Sequence, residues 1–196
     1  MKIVIDGMDG SGKSTLAKKI AKNYNMKYVD GLLHSFFKDQ NFTIDEIKII
    51  DRAISEFYKI DNAIIRAWFL ASGNVFNLLN YSEDVIIDRS VLTTYYWNGT
   101  QSSKDIFKYM HTLVEKADLT IILLASPKKR FDRVKKRDLN DKDLLEKEKF
   151  DEGYYKYIQG AKFLNLNYVI LDTDNKNIEE VYDEAKILID QLKSED

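Results

Sequence analysis

Residues 7–15 read Gly-Met-Asp-Gly-Ser-Gly-Lys-Ser-Thr, the phosphate-binding loop pattern G-x-x-x-x-G-K-[ST]. This stretch constrains the fold because such a loop works only when a strand delivers it and a helix leaves it. Both flanks comply. The run Lys2–Asp6 has strand character, with Ile3–Ile5 at its centre. Leu16, Ile20 and Tyr24 then repeat at helical spacing among Lys18, Lys19 and Lys22. Gly7, Gly10 and Gly12 let the backbone curl so that N–H groups point inward at phosphate oxygens. The helix beginning near Lys13 turns its positive dipole end to the same point. Lys13 can reach β- and γ-phosphates, the Ser14 hydroxyl can ligate Mg²⁺, and Ser11 and Thr15 complete the loop. ATP and Mg²⁺ are the expected ligands.

Composition narrows the function classes. The 196 residues suffice for one α/β domain with a substantial core, expected to span 1–196. Thirty Lys+Arg stand against 32 Asp+Glu, a balance that gives no support for binding polymeric nucleic acid or a membrane surface. The absence of cysteine excludes disulfides, thiolate catalysis and Cys-based metal sites. A loop starting at residue 7 leaves no room for a signal peptide, and the apolar run Leu119–Ala125 is far too short to cross a bilayer. A cytoplasmic protein is expected.

Apolar runs and helical patterns alternate along the chain. Strands are expected at Ile3–Ile5, Lys27–Asp30, Val85–Ile87, Leu119–Leu124 and Tyr168–Leu171. Helices are expected at Thr43–Tyr58, Asn62–Leu79, Ser103–Lys116, Lys128–Arg137, Glu146–Leu164 and Ile178–Leu192, with Pro127 suited to a first helical position. This order predicts an α/β fold with a five-stranded parallel sheet and helices on both faces. Ligands of such sheets sit at the carboxyl ends of the strands, where the phosphate loop, Asp88-Arg89 and the segment after Leu124 all fall.

Asp88 can hold Mg²⁺ through water or orient an attacking oxygen, and Arg89 can grip a phosphate bidentately. A structural Asp–Arg pair is the alternative. Arg130, Arg133 and Arg137 share a helical face, flanked by Lys135 and Lys136. They can neutralise a transferring phosphoryl group or form a solvated basic face. Trp68, Phe69, Leu70, Phe76 and Leu79 are expected to be mostly core, with one of them able to stack on a base. Tyr95, Tyr96 and Trp97 cannot all be core on one helix, so at least one faces a cleft or partner. His34 and His111 lack ligand spacing and are expected to be ordinary structural or surface residues.

Taken together, these residues resemble the thymidylate kinase family of P-loop nucleoside monophosphate kinases, nearly end to end. Asp9–Thr15 is similar to that family's phosphate loop. Asp88-Arg89, Leu92-Thr93-Thr94 and Trp97-Asn98-Gly99 resemble its Asp-Arg region. Ala117–Thr120 resembles a strand start, and Arg133-x-x-x-Arg137, Asp143-x-x-Glu146 and Phe150…Tyr154 resemble its LID, here about residues 130–147. The resemblance implies a P-loop kinase fold and ATP-dependent phosphorylation of a nucleoside monophosphate, with homodimerisation. It gives Arg89 the acceptor phosphate, Asp9 the sugar 3′-hydroxyl, Lys13 and Ser14 the ATP·Mg, Arg133 and Arg137 the catalytic cations, and Asp172-Thr173 the neighbourhood of adenine. Trp68, Leu70, Asn74, Thr94 and Trp97 fall around the acceptor. Leu70 and Asn74 stand where the family carries a base-reading Phe and Arg, and Asp30-Gly31-Leu32-Leu33 replaces its Arg-Glu-Pro-Gly. Thymidylate is therefore not expected to be the sole or best acceptor.

Two other classes compete. A deoxynucleoside kinase would phosphorylate a 5′-hydroxyl, with Asp88-Arg89-Ser90 in place and Asp30 as base. A GTPase or ATPase binding module would share the loop, but Asn175-Lys176-Asn177-Ile178 breaks the guanine-reading Asn-Lys-x-Asp at its last position.

Overall fold

The computed structural model describes residues 1–31, 33, 42–145, 150 and 153–195. Its centre is a five-stranded sheet: β1 (Lys2–Gly7), β2 (Lys27–Asp30), β3 (Val85–Asp88), β4 (Leu119–Leu124) and β5 (Tyr168–Asp172). The order is β2-β3-β1-β4-β5, and every neighbouring pair is parallel. Ile3, Val4 and Ile5 of β1, Val85–Ile87 of β3 and Ile121–Ile122 of β4 are all buried. These continuous apolar runs arise because helices cover both faces of the sheet.

Alternation along each strand sorts side chains between two cores. Ile3, Ile5 and Ile121 pack with Leu16, Ala17 and Ile20 of α1 (Lys13–Tyr24) and Val181, Ala185 and Ile189 of α8 (Ile178–Glu195). Val4, Ile87 and Ile122 face α3 (Ala63–Leu79), α4 (Val91–Asn98), α5 (Lys104–Leu113) and α7 (Tyr155–Phe163). Helix α2 (Ile44–Tyr58) starts with a capping box, in which the Thr43 side chain accepts from the Glu46 N–H and Glu46 accepts from the Thr43 N–H. Helix α6 (Pro127–Arg137) has Pro127 in its first turn and Ser126 as its cap, one residue earlier than expected.

Three sequence expectations change. No single helix spans Glu146–Leu164: among its described residues, Phe150 lies in a 3-10 turn, Gly153 and Tyr154 form a turn, and α7 begins only at Tyr155. Gly153 favours this interruption. Residues 146–149, 151 and 152 lie outside the described set, as do Leu32 and His34. Helix α4 was not expected as an element, since its VLTTYYW run lacks a 3.6-residue period. Trp68 and Leu79 are exposed rather than core, at 51% and 62%. Helix α3 is apolar nearly all round, but the face that finds the interior is the one through Ala67, Leu70, Ala71, Gly73, Asn74, Asn77 and Leu78. The aromatic triplet is not all core: Tyr96 stacks on Tyr157 while Trp97 stays half-exposed.

Candidate active site

The phosphate loop links the end of β1 to α1 at the carboxyl edge of the sheet. Gly10 has φ +79°, and a Cβ there would lie 2.6 Å from the Arg130 carbonyl oxygen. A larger residue would be strained in its backbone and would push helix α6 away from the loop. The Lys13 ammonium donates to the Met8 carbonyl at 2.8 Å and lies 3.8 Å from Asp9. It is buried, and that burial pulls its pKa down to about 8. The Ser11 hydroxyl is buried without a hydrogen-bond partner.

A cavity of about 510 Å³ opens over this loop. Gly10–Thr15 and Asp9 line it together with Arg89, Lys129, Arg133, Arg137, Thr173, Lys176 and Asn177. Six of its side chains are cationic, and Asp9 supplies the one carboxylate among these described residues. Such a lining selects a polyanion. Lys129 and Lys176, neither singled out as a site residue from sequence, join the lining from α6 and from the β5–α8 turn.

Arg89 follows β3 with a left-handed backbone, φ 75°, which is uncommon for a residue with a side chain. Its guanidinium meets Asp9 at 2.8 Å. Burial would lower its pKa, but Asp9 and Asp88 more than offset that, so the charge is held firmly. Asp6, which sequence reading missed, fixes this turn. It is fully buried at the end of β1 and accepts hydrogen bonds from the Ser90 N–H and the Thr93 hydroxyl. Burial raises its pKa, partly countered by those bonds. Nothing local in the sequence distinguishes Asp6 from an ordinary strand end. The Tyr157 phenol lies close by, its pKa raised by burial and by Asp6.

Asp88 accepts from the Tyr28 hydroxyl at 3.0 Å through one oxygen, while its other oxygen is buried and unpartnered. The Tyr28 hydroxyl also neighbours Ser14. Asp88 Oδ1 and the Ser14 hydroxyl therefore fit the hard-oxygen donor set that Mg²⁺ takes when phosphates complete its shell. Among the described residues no group of three or more His, Cys, Asp or Glu side chains could hold a metal ion by itself.

The arginines of α6 do different things. Arg130 is fully buried, donates from Nε to the Ala125 carbonyl at 3.2 Å and stands over the Phe150 ring. Arg133 donates to Thr173 Oγ1 at 2.9 Å and Thr173 O at 2.6 Å, and weakly to the Gly10 and Ser11 carbonyls, tying the β5–α8 turn to the phosphate loop. Arg137 is exposed and paired with Asp141 at 2.5 Å. Thr173 lines the cavity, but Asp172 instead accepts from the Asp174 N–H within its own turn. Asn74 and Thr94 are buried where α3 meets α4, Leu70 packs with Leu33 and with Ile54 of α2, and none of the three lines this cavity; Trp68 meets Tyr109 edge-on and Trp97 meets Tyr96. The Asp143 side chain and Glu146 lie outside the described residues.

A sequence model of the thymidylate kinase family matches residues 5–185. The chain belongs to the thymidylate kinase family. Among curated relatives, a probable thymidylate kinase of Methanocaldococcus jannaschii is 27% identical, covering 94% of this chain and 93% of its own. A cytidylate kinase of Sulfurisphaera tokodaii is 26% identical, covering 92% and 91%. The fold is similar to that of a deoxyadenosine kinase from M. mycoides solved with dCMP and dCDP (TM-score 0.65, 18% identity, all of both chains). It also resembles a thymidylate kinase from Ehrlichia chaffeensis (TM-score 0.59, 15% identity, 96% and 98% of the chains). The protein is thus a P-loop kinase of the nucleotide-phosphorylating type. No helix among the described residues is long and apolar enough to cross a membrane.

Proposed function

We propose that the protein transfers the γ-phosphoryl group of ATP to the phosphate of a (deoxy)nucleoside monophosphate. The observation that carries this reading is Arg89, a second anion grip held 2.8 Å from Asp9 of the loop that cradles the first anion. Two phosphate sites side by side suit a reaction between two phosphorylated substrates. The relatives' names, thymidylate and cytidylate kinase, both denote monophosphate acceptors.

In this reading the loop N–H groups and Lys13 hold the β- and γ-phosphates. Arg89 holds the acceptor phosphate so that one of its oxygens faces the γ-phosphorus. A bond forms from that oxygen as the β–γ bridging bond breaks, and ADP leaves. Ser14 and Asp88 would hold Mg²⁺, which would neutralise charge on the phosphates during transfer. Arg137, from the mouth of the LID-like segment near 130–147, adds the further cation. Asp9 turns from Arg89 to the acceptor sugar. Thr173 borders the adenine, with Asp172 shaping its turn. The cytoplasm, where ATP·Mg is plentiful, is the expected location, and two copies associate through exposed apolar side chains on α3 and α5.

A nucleoside-kinase reading has one specific point in its favour: Asp30 lies in register beside Asp88 at the same sheet edge, a position for a base acting on a 5′-hydroxyl. Following ADP release with ATP·Mg and matched pairs of nucleosides and nucleoside monophosphates separates the two. Turnover of monophosphates alone is expected; turnover of nucleosides alone would replace this reading with the second.

A further inference from the structure

Asp88 is buried at the end of β3, and its two carboxylate oxygens are in different situations. Oδ2 accepts from the Tyr28 hydroxyl of β2 at 3.0 Å, whereas Oδ1 is buried and has no hydrogen-bond partner. Nothing in its sequence surroundings marks Tyr28, which stands in a strand of four residues. Its place follows from the sheet register. β2 runs parallel to β3, with Tyr28 beside Ile86 and Asp30 beside Asp88. Residues two apart on a strand share a face, so Tyr28, Ile86 and Asp88 all lie on the α1 face of the sheet. The Tyr28 ring packs against the core that holds Ile86, Leu16 and Ala17, and the Lys18 ammonium stands 5.4 Å from its centroid. An anchored ring of this kind carries its hydroxyl forward to the sheet edge. There it meets Asp88 and lies within hydrogen-bonding reach of Ser14, in the first turn of α1.

The phenol therefore bridges the two side chains whose oxygens fit Mg²⁺. A hydroxyl has one hydrogen to donate and lone pairs to accept with. Tyr28 gives its hydrogen to Asp88 Oδ2, so toward Ser14 it can only accept. A Ser14 hydroxyl that donates to Tyr28 presents its lone pairs elsewhere, and an Asp88 pinned through Oδ2 presents Oδ1. The two oxygens left over are the kind a hard cation takes.

This inference rests on the reading of Ser14 and Asp88 as the residues that hold Mg²⁺. We propose that Tyr28 is the positioning residue of that pair, its hydroxyl fixing the rotamer of Asp88 and the hydrogen of Ser14 so that both bare oxygens serve one cation. Tyr28 itself touches neither metal nor nucleotide in this role. Hydrogen bonds behind metal ligands set the ligands' orientation, and losing one typically costs about 10–100-fold in metal affinity. Without the phenol, Asp88 is free to turn toward the Lys13 ammonium, whose charge it already feels.

Tyr28→Phe keeps the ring and removes the hydroxyl. The test is calorimetric binding of ATP, with no acceptor present, in excess Mg²⁺ and in EDTA, to wild type, Tyr28→Phe and Asp88→Asn. Because no acceptor enters, the result does not depend on which acceptor the protein uses. Wild type is expected to bind ATP more tightly with Mg²⁺ than in EDTA. Both variants should lose that advantage, by about 10-fold or down to none, while Tyr28→Phe keeps its affinity in EDTA within about two-fold of wild type. An advantage kept in Tyr28→Phe but lost in Asp88→Asn would overturn the role of Tyr28 and leave the metal pair standing. Affinity of Tyr28→Phe falling equally in Mg²⁺ and in EDTA would reduce Tyr28 to a packing residue and overturn the proposal as well. An advantage kept in both variants, or absent from wild type, would overturn the metal pair and Tyr28 with it.

Discussion

At the scale of single residues, the site is built on buried charge. Lys13 is 4% exposed, and burial holds its ammonium at a pKa of about 8, against an ordinary 10.5. The folded chain therefore sheds this proton before the unfolded chain does. Stability is reduced by the buried charge below pH 8 and recovers as pH rises from 8 to 10.5. Lys13→Met should abolish turnover yet raise the nucleotide-free Tm at pH 7 by about 2–8 °C, with the gap to wild type closing by pH 10. Parallel melting curves across that range check this, and a gap independent of pH would contradict it. Asp6 is the second buried charge. Because it holds Ser90 and Thr93 beside the left-handed Arg89, Asp6→Asn should raise the acceptor KM about ten-fold with ATP KM within two-fold. Equal losses in both KM values would reduce Asp6 to a general stabiliser. The contrast between these residues explains what could be read beforehand. Lys13 stands in a contiguous motif whose spacing encodes its role. Asp6 gains its role from Thr93, which only the parallel pairing of β1 with β3 brings near.

Among elements, α6 separates what spacing cannot. Sequence places Arg130, Arg133 and Arg137 on one face, but distance from the sheet grades them. Arg130 is buried against the Phe150 ring, Arg133 fastens Thr173 to the loop, and Arg137 reaches solvent beside Asp141. Arg137→Ala should lower kcat about 10–1000-fold with Tm unchanged, the pattern of a cation that acts on the transferring group. Arg133→Ala should instead raise the ATP KM and cost about 1–3 kcal/mol of stability. Kinetics and melts on the two proteins decide it; equal Tm losses with kcat intact would make both structural. The strands were legible because continuous apolar runs have few alternatives in a parallel sheet. Helix α4 was not, because β-branched and aromatic residues mask helical period when nearly every face is buried. The break before α7 depends on Gly153 and on Phe150 turning inward against Phe131, a contact invisible to periodicity.

For the whole molecule, the alternation of strands and helices fixed the sheet and its ligand edge, so the phosphate half of the site followed from sequence. The polar seam between α3 and α4 did not, since Asn74 and Thr94 meet only once the two helices pack. The outer face posed the opposite difficulty: Trp68, Leu79, Tyr109 and Leu113 match a buried pattern and yet are more than half exposed. Apolar surface of that kind marks a partner face. Light scattering at micromolar concentration should return the mass of two chains, and Trp68→Glu the mass of one; a monomeric wild type would contradict this. The central claim, that Arg89 holds the phosphate of the acceptor, is tested most directly by calorimetric titration of nucleoside monophosphates into wild-type protein and Arg89→Met, each beside an ATP titration. The account predicts that the best-binding monophosphate loses about 10–150-fold in affinity, as for one charge-assisted grip, while ATP binding stays within about three-fold. Unchanged monophosphate affinity in Arg89→Met, or a nucleoside binding wild type as tightly as its monophosphate, would contradict it.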